Sequence, residues 1–219
     1  MNKLTKHITL GENKRVNFGC GSILKNGFVN IDLPGEWMYP RQEPPQIYGD
    51  FTEMYFDKES LDHISLHHVF EHFMRFEGII LLLRFNKWLK QGGILELWMP
   101  DIEVCINEFP AASYKRKKEL IRHMWGSHEG RWAIHCEGYY PQNINEMITA
   151  CGFSGSFSSH RGQWPQFSAM CIKTGEPNMI DIMNYMNDYE PAHELSHILR
   201  GFWKQEIENE LEEQKRIYG

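Results

Sequence analysis

Two hydrophobic rhythms alternate along this chain. Short apolar runs bounded by glycine, proline or acid predict strands, and longer stretches with apolar residues three and four apart predict helices. Val16 and Phe18 form one strand-like run that ends in Gly19-Cys20-Gly21, and Phe28, Val29 and Ile31 form a second that closes on Asp32. The proline-rich stretch from 34 to 47 predicts a loop. Further short strands are expected at 46–49 and from Leu61 to Leu66. From about Phe70 to Lys90 a helix is expected, with Phe73, Phe76, Ile79, Ile80 and Leu83 on its spacing and Gly92-Gly93 as its C-cap. Ile94 to Met99 alternates as a strand and stops at Pro100-Asp101.

The second half continues the alternation. Residues 101 to 140 hold two expected helices and a loop rich in Trp, His and Gly. Gln142 to Cys151 is amphipathic and meets a glycine cap at Gly152, then two strand-like runs follow at 153–160 and 167–174. Past Gly175 polar helix formers dominate, which predicts a helical tail. The order predicts an α/β fold, a doubly wound and mostly parallel sheet with an antiparallel edge strand. Residues 1–175 would be the domain, 101–140 an insertion in it, and 176–219 a C-terminal helical extension.

Composition narrows the partners. At 219 residues with 42% hydrophobic content the chain can bury one ordinary α/β core, and its net charge of −6 argues against nucleic acid. The Lys115-Arg116-Lys117-Lys118 run reads as the solvated face of a helix. Five cysteines are scattered without a CxxC pair, so neither a disulfide framework nor a zinc knuckle is indicated. The start MNKLTKHITL has no signal-peptide core and no apolar run reaches membrane-spanning length, so a cytoplasmic protein is expected.

Strand, glycine turn, strand and terminal carboxylate is how α/β folds hold an adenosine-type ligand, the acid accepting from ribose hydroxyls. A dinucleotide fingerprint would need a third glycine where Leu24 stands, and an acid about 20 residues further on. Ser22 to Gly27 is too short for a helix that could aim a dipole at phosphate, and no Gly-Lys-Ser/Thr follows. A nucleoside without phosphates remains, of which S-adenosylmethionine (SAM) is the commonest cofactor.

The order of these motifs resembles the class I SAM-dependent methyltransferases, and most closely their small type 11 group, often found with polysaccharide-biosynthesis genes. The resemblance spans about residues 14 to 175 and rests on VNFGCGSILKNGFVNIDL, Asp50-Phe51, LHHVFEHF, LLLRFNKWLKQGGILELWMPD and HCEGYYPQNINEMITACGF. Phe85 to Gln91 departs from the group's usual residues before the double glycine, which bears on packing. The resemblance implies that Gly19, Cys20 and Gly21 pass under the amino-acid part of SAM and that Phe18 is a further cofactor contact. It further implies that Asp32 takes the ribose hydroxyls, that Leu33 is a cofactor contact, that Asp50 and Phe51 meet the adenine, and that His67 and His68 border the sulfonium. The acceptor would be a small molecule or sugar.

An oxygen acceptor wants a base, and histidine titrates in the right range. His135 is the first candidate, since the loop before the last core helix usually overhangs the acceptor; His72 and His67 follow. Glu71 reads as orienting the helix start. Trp125, Trp132, Tyr139 and Tyr140 could wall an acceptor site.

Two metal patterns also occur. His68 to His72 spells H-x-x-E-H and is accounted for by the methyltransferase motif, so no metal ligand is expected there. His193 to His197 spells H-E-x-x-H, which on a helix sets two imidazoles on one face with a glutamate base, the zinc-hydrolase alternative. A zincin needs a third ligand, and Glu206, Glu208, Glu210, Glu212 and Glu213 downstream read as one solvated, charged helix. A non-catalytic SAM-binding scaffold is the other alternative. Leu195, Ile198, Leu199, Phe202, Ile207 and Leu211 form one stripe that could pack on its own core, cover the site or pair with a second subunit as a homodimer.

Overall fold

The structure is a computed structural model that describes residues 3–22, 24–34, 43–189 and 196–219, with the side chains of residues 131 and 196–199 left undescribed. Its strands are β1 (Lys6–His7), β2 (Arg15–Phe18), β3 (Val29–Asp32), β4 (Ile47–Tyr48), β5 (Met54–Tyr55), β6 (Leu61–His67), β7 (Leu89–Pro100), β8 (Phe153–His160) and β9 (Gln166–Lys173). Its helices are α1 (Arg75–Trp88), α2 (Ile102–Glu108), α3 (Tyr114–Trp125), α4 (Pro141–Ala150), α5 (Met179–Asp188) and α6 (Ser196–Tyr218). Seven strands form one sheet in the order β4-β3-β2-β6-β7-β9-β8. Strands β4, β3, β2, β6 and β7 are mutually parallel, and β9 runs antiparallel to both β7 and β8. The expected mixed α/β fold with an antiparallel edge is therefore present. Strands β1 and β5 pair separately as a two-stranded parallel ribbon that the hydrophobic pattern did not suggest.

Alternation along the strands sorts the sheet into two unlike faces. Val16, Phe18, Ile64, Leu66, Leu95, Leu97, Ala169 and Cys171 share one face and are fully buried in a single core with Ile80, Leu83 and Phe85 of α1 and Ile144, Met147 and Ile148 of α4. On the other face the register lines up Asn30, Asn17, Ser65 and Glu96 in one row across four strands. The segment between β2 and β3 lies over this row in place of a helix. Asn17 Nδ2 donates to Asn30 Oδ1 at 2.9 Å, the Lys25 backbone N–H donates to the same oxygen at 2.8 Å, and Lys25 Nζ donates to Ser65 Oγ at 2.9 Å and pairs with Glu96. These bonds satisfy polar groups that the missing crossover helix would otherwise have to bury unpaired.

The helix expected from Phe70 to Lys90 is shorter, and Gly92-Gly93 is not its cap. Residues Phe70–His72 make a separate 3-10 turn, and α1 ends at Trp88 because Leu89 already pairs with Leu61. Pairing then resumes at His63 with Ile94, so Lys90 to Gly93 form a bulge whose left-handed residue is Gly92 at φ 75°. Gly152 does cap α4 as expected, at φ 85°, where a Cβ would meet the Gly175 carbonyl oxygen at 2.4 Å.

Helix α6 is fastened to α1. Arg84 on α1 is 2% exposed; its Nε and Nη2 donate to the two carboxylate oxygens of Glu210 at 2.9 and 2.5 Å, and its Nη1 to the Thr52 carbonyl at 2.6 Å. Gln214 adds a bond to Glu210, Trp88 Nε1 donates to the Tyr218 hydroxyl at 2.7 Å, and that hydroxyl donates to the Phe56 carbonyl at 3.0 Å. Of the predicted apolar stripe, Ile207 is fully buried, Leu211 packs on the same core, and Phe202 is half exposed against Phe76. Glu210 is thus buried, contrary to the solvated helix expected. The side chains of Leu195, Ile198 and Leu199, like those of His193, Glu194 and His197, lie outside the described residues. Among the described residues no helix is long and apolar enough to cross a membrane.

Candidate functional site

The carboxyl ends of β2, β3, β4, β6 and β7 open onto one cleft of about 1260 Å³. Where neighbouring parallel strands end together their connections diverge and leave a crevice, the usual ligand position in open α/β sheets. Gly19, Cys20, Gly21, Asp32, Leu33, Asp50, Phe51, His67 and His68 all line it, as do His72 and Trp132. Phe18 does not: it is fully buried in the core beneath Phe51, with the two rings stacked at 4.6 Å. Its place on a strand bordering the loop explains the expectation, but its odd register position turns it inward.

The glycine loop is held from both sides. Gly19 and Gly21 adopt left-handed φ of 62° and 57°. The Gly19 N–H donates to the Ile31 carbonyl at 2.9 Å, and a Cβ there would sit 2.5 Å from Val69 Cγ2. Asp32 Oδ2 accepts from the Gly21 N–H and Oδ1 from the Leu33 N–H, each at 2.8 Å. Asp50 caps the turn that carries Phe51, accepting from the Thr52 N–H at 2.8 Å and its hydroxyl at 2.6 Å. Phe51 is thereby wedged between Phe18 and Phe73, with one surface left to the cleft.

Histidines crowd the opposite wall. His68, in the left-handed region at φ 54°, donates from Nδ1 to Glu71 Oε1 at 3.0 Å and from Nε2 to Gln166 Oε1 at 2.7 Å. Burial opposes its charge, yet the Glu71 carboxylate and Gln166 together hold its pKa above the ordinary histidine value. Burial likewise opposes ionisation of Glu71, but the His68 bond and the nearby His72 and His135 keep its pKa below the ordinary carboxylate value. His67 packs between His68 and Trp98, and burial followed by the charge of His68 lowers its pKa. His135 does not line the cleft. It sits behind His72, ring to ring at 4.8 Å, its Nδ1 within 3.2 Å of the Met124 carbonyl, and burial pushes its pKa down to about 4. Of the proposed aromatic wall only Trp132 faces the cleft; Trp125 is half exposed, and Tyr139 is buried in the core.

The cleft floor was not anticipated. Asn17, Lys25, Ser65, Glu96 and Trp98 all line it. His63 Nε2 and Trp98 Nε1 each reach Glu96 at 3.0 Å, and Lys25 completes its partners. The hydrogen bond from His63, helped by Lys25 and Trp98, holds the Glu96 carboxyl down at about 2. The signal was available, as a polar residue at the centre of three adjacent parallel strands, where burial on both faces would demand apolar runs. Because the folded carboxyl lies below its unfolded value, its stabilisation is complete above that value and fades as pH falls toward 2. Because the carboxylate lines an open cleft where solvent screens its partners, the net stabilisation is about 1–2 kcal/mol. Urea melts of Glu96→Gln should therefore be less stable than wild type at pH 7 and converge with it as pH drops below 4.

No family model and no curated protein matches the chain. Solved structures do. A SAM-dependent methyltransferase from Methanosarcina mazei is 12% identical with a TM-score of 0.51, over 76% of this chain and 95% of that one. A protein from Pyrococcus horikoshii is 12% identical with a TM-score of 0.50, over 74% of this chain and 84% of that one. At such identity the likeness is one of fold. The strand order and the reversed β9 make the mixed, mostly parallel Rossmann-like sheet the fold that this chain shares with those two structures.

Proposed function

We propose that this chain is a SAM-dependent methyltransferase acting on a small-molecule or sugar acceptor. The observation that carries the reading is the Gly19–Gly21 loop, held in left-handed backbone by Asp32 at the mouth of the cleft. The residues fit the cofactor. A Cβ on Gly21 would project into open space, so the loop presents bare backbone to the cleft. A carboxylate can accept about four hydrogen bonds, so Asp32 can order the loop and receive ribose hydroxyls as well. Leu33, Asp50 and Phe51 border the neighbouring adenine position, and His67 and His68 the position of the sulfonium.

When bound, SAM supplies an activated methyl that passes by in-line displacement to the acceptor while the bonding pair returns to sulfur. The chain's own work is then alignment and exclusion of water. A hydroxyl acceptor must also lose a proton. His67 is the cleft imidazole held neutral, which fits it to take that proton. His72 lines the same wall, whereas His135 stands behind it.

Thermal melts with SAM and with S-adenosylhomocysteine test the reading. A ligand at 100 times its Kd adds about 2.7 kcal/mol, which raises the Tm of a domain this size by about 5 to 10 °C. Absence of any shift at millimolar concentrations of both would overturn it.

A further inference from the structure

The geometry points to a divalent transition-metal site formed by Glu71, His72 and His135, at the wall of the cleft. One ligating atom from each of the three lies within 4.8 Å of the others. Both imidazoles are oriented for it. His72 Nδ1 is 3.0 Å from the Ile134 carbonyl and His135 Nδ1 is 3.2 Å from the Met124 carbonyl. A backbone carbonyl only accepts, so each Nδ1 carries the proton and each Nε2 keeps its lone pair, the arrangement seen in metal-ligating histidines. Their rings meet edge to face at 79°, and His135 Nε2 lies 3.9 Å from Glu71 Oε1.

The carboxylate supplies an independent observation. Glu71 is 1% exposed, and its Oε2 is buried without a hydrogen-bond partner among the described residues. A buried anion with one oxygen unsatisfied is costly, and a cation beside it would remove that cost. The backbone builds the site deliberately. The Glu71 carbonyl accepts from the N–H groups of Cys136 at 2.8 Å and Glu137 at 3.2 Å, which clamps the loop bearing His135 against the turn bearing Glu71 and His72. His68, bonded to Glu71 Oε1, orients the carboxylate as an outer partner.

Two imidazoles and one carboxylate suit Zn²⁺ or a neighbouring first-row ion, with bonds of about 2.0–2.2 Å. Such bonds place ligand atoms roughly 3.3–3.6 Å apart, so closing from 4.8 Å needs about 1 Å of movement, within reach of the half-buried His72. Three protein ligands leave a coordination position open, and of the three His72 lines the cleft. This reverses the expectation that H-x-x-E-H holds no metal: its Glu71 and His72 serve, and the third ligand comes from His135 rather than His68.

Chelator-stripped protein titrated with Zn²⁺ alone, against a competing indicator, should bind one equivalent with sub-micromolar affinity, and Co²⁺ should give visible d–d bands. Glu71→Gln, His72→Ala and His135→Ala should each weaken Zn²⁺ binding at least about 100-fold. His193→Ala/His197→Ala, which removes the other zinc-like motif, should leave it unchanged. Failure to bind a stoichiometric ion, retention of affinity in the three single variants, or its loss in the double variant would each overturn the site. Should Glu71→Gln fail to fold, His72→Ala at the cleft wall carries the test. Metal titration is read without SAM, so its result stands apart from that of the cofactor melts.

Discussion

Arg84→Ala should lower stability by about 3–5 kcal/mol, the usual cost of removing one partner from a buried ion pair. The guanidinium is the shared donor for Glu210 and the Thr52 carbonyl. Its loss strands a carboxylate that is 4% exposed, with Gln214 as its remaining donor in this cluster, and leaves a turn carbonyl bare. For a domain of this length the loss corresponds to a Tm lower by roughly 10 °C. The double variant Arg84→Met/Glu210→Leu separates the causes. Replacing both charges with apolar side chains should recover most of the loss, because desolvation of the pair had already consumed much of its Coulomb gain. If Arg84→Ala melts within 2 °C of wild type, the pair is not buried in solution.

Asp32→Ala should abolish measurable SAM binding, with affinity down at least about 100-fold by calorimetry. Two effects act together. The ribose loses its acceptor, and the Gly21 and Leu33 N–H groups lose the bonds that hold the loop open to the ligand. Hydrogen bonds to a charged acceptor are worth about 1.5–3 kcal/mol each, so the loss of two or three exceeds the predicted factor. Asp32→Asn keeps the shape but replaces one acceptor oxygen with an NH₂ donor, so one of those N–H groups loses its partner. Its binding should fall between the two. An Asp32→Ala protein that binds SAM normally would remove the loop from the cofactor site.

Much of the architecture was legible because strands and helices each carry their own period. The strand ends at Phe18 and Asp32 were readable, that of β6 to within one residue, and nine of the ten expected cofactor positions came to one cleft. What escaped depended on distant pairing. Gly92-Gly93 looks like a helix cap locally, and only the register of Leu61 with Leu89 reveals a bulge. His135 was expected over the acceptor. Gly126, at φ 87°, and its bridge to Ile134 instead bend that loop so that the Glu71 carbonyl captures it. Glu71 read as a helix-start residue because burial of a carboxylate among three histidines has no local signature. Glu210 read as solvated for the same reason: its partner is 126 residues away.

That separation has a consequence for the newborn chain. Translation at about 5–20 residues per second inserts an interval of roughly 6–25 s between Arg84 and Glu210. Throughout it the sheet-facing side of α1 can begin to collapse, while its outer side holds a cation that has nowhere dry to go. The helix must keep that side wet until α6 arrives. Completion of this core is therefore a late event, timed by the ribosome rather than by the sheet.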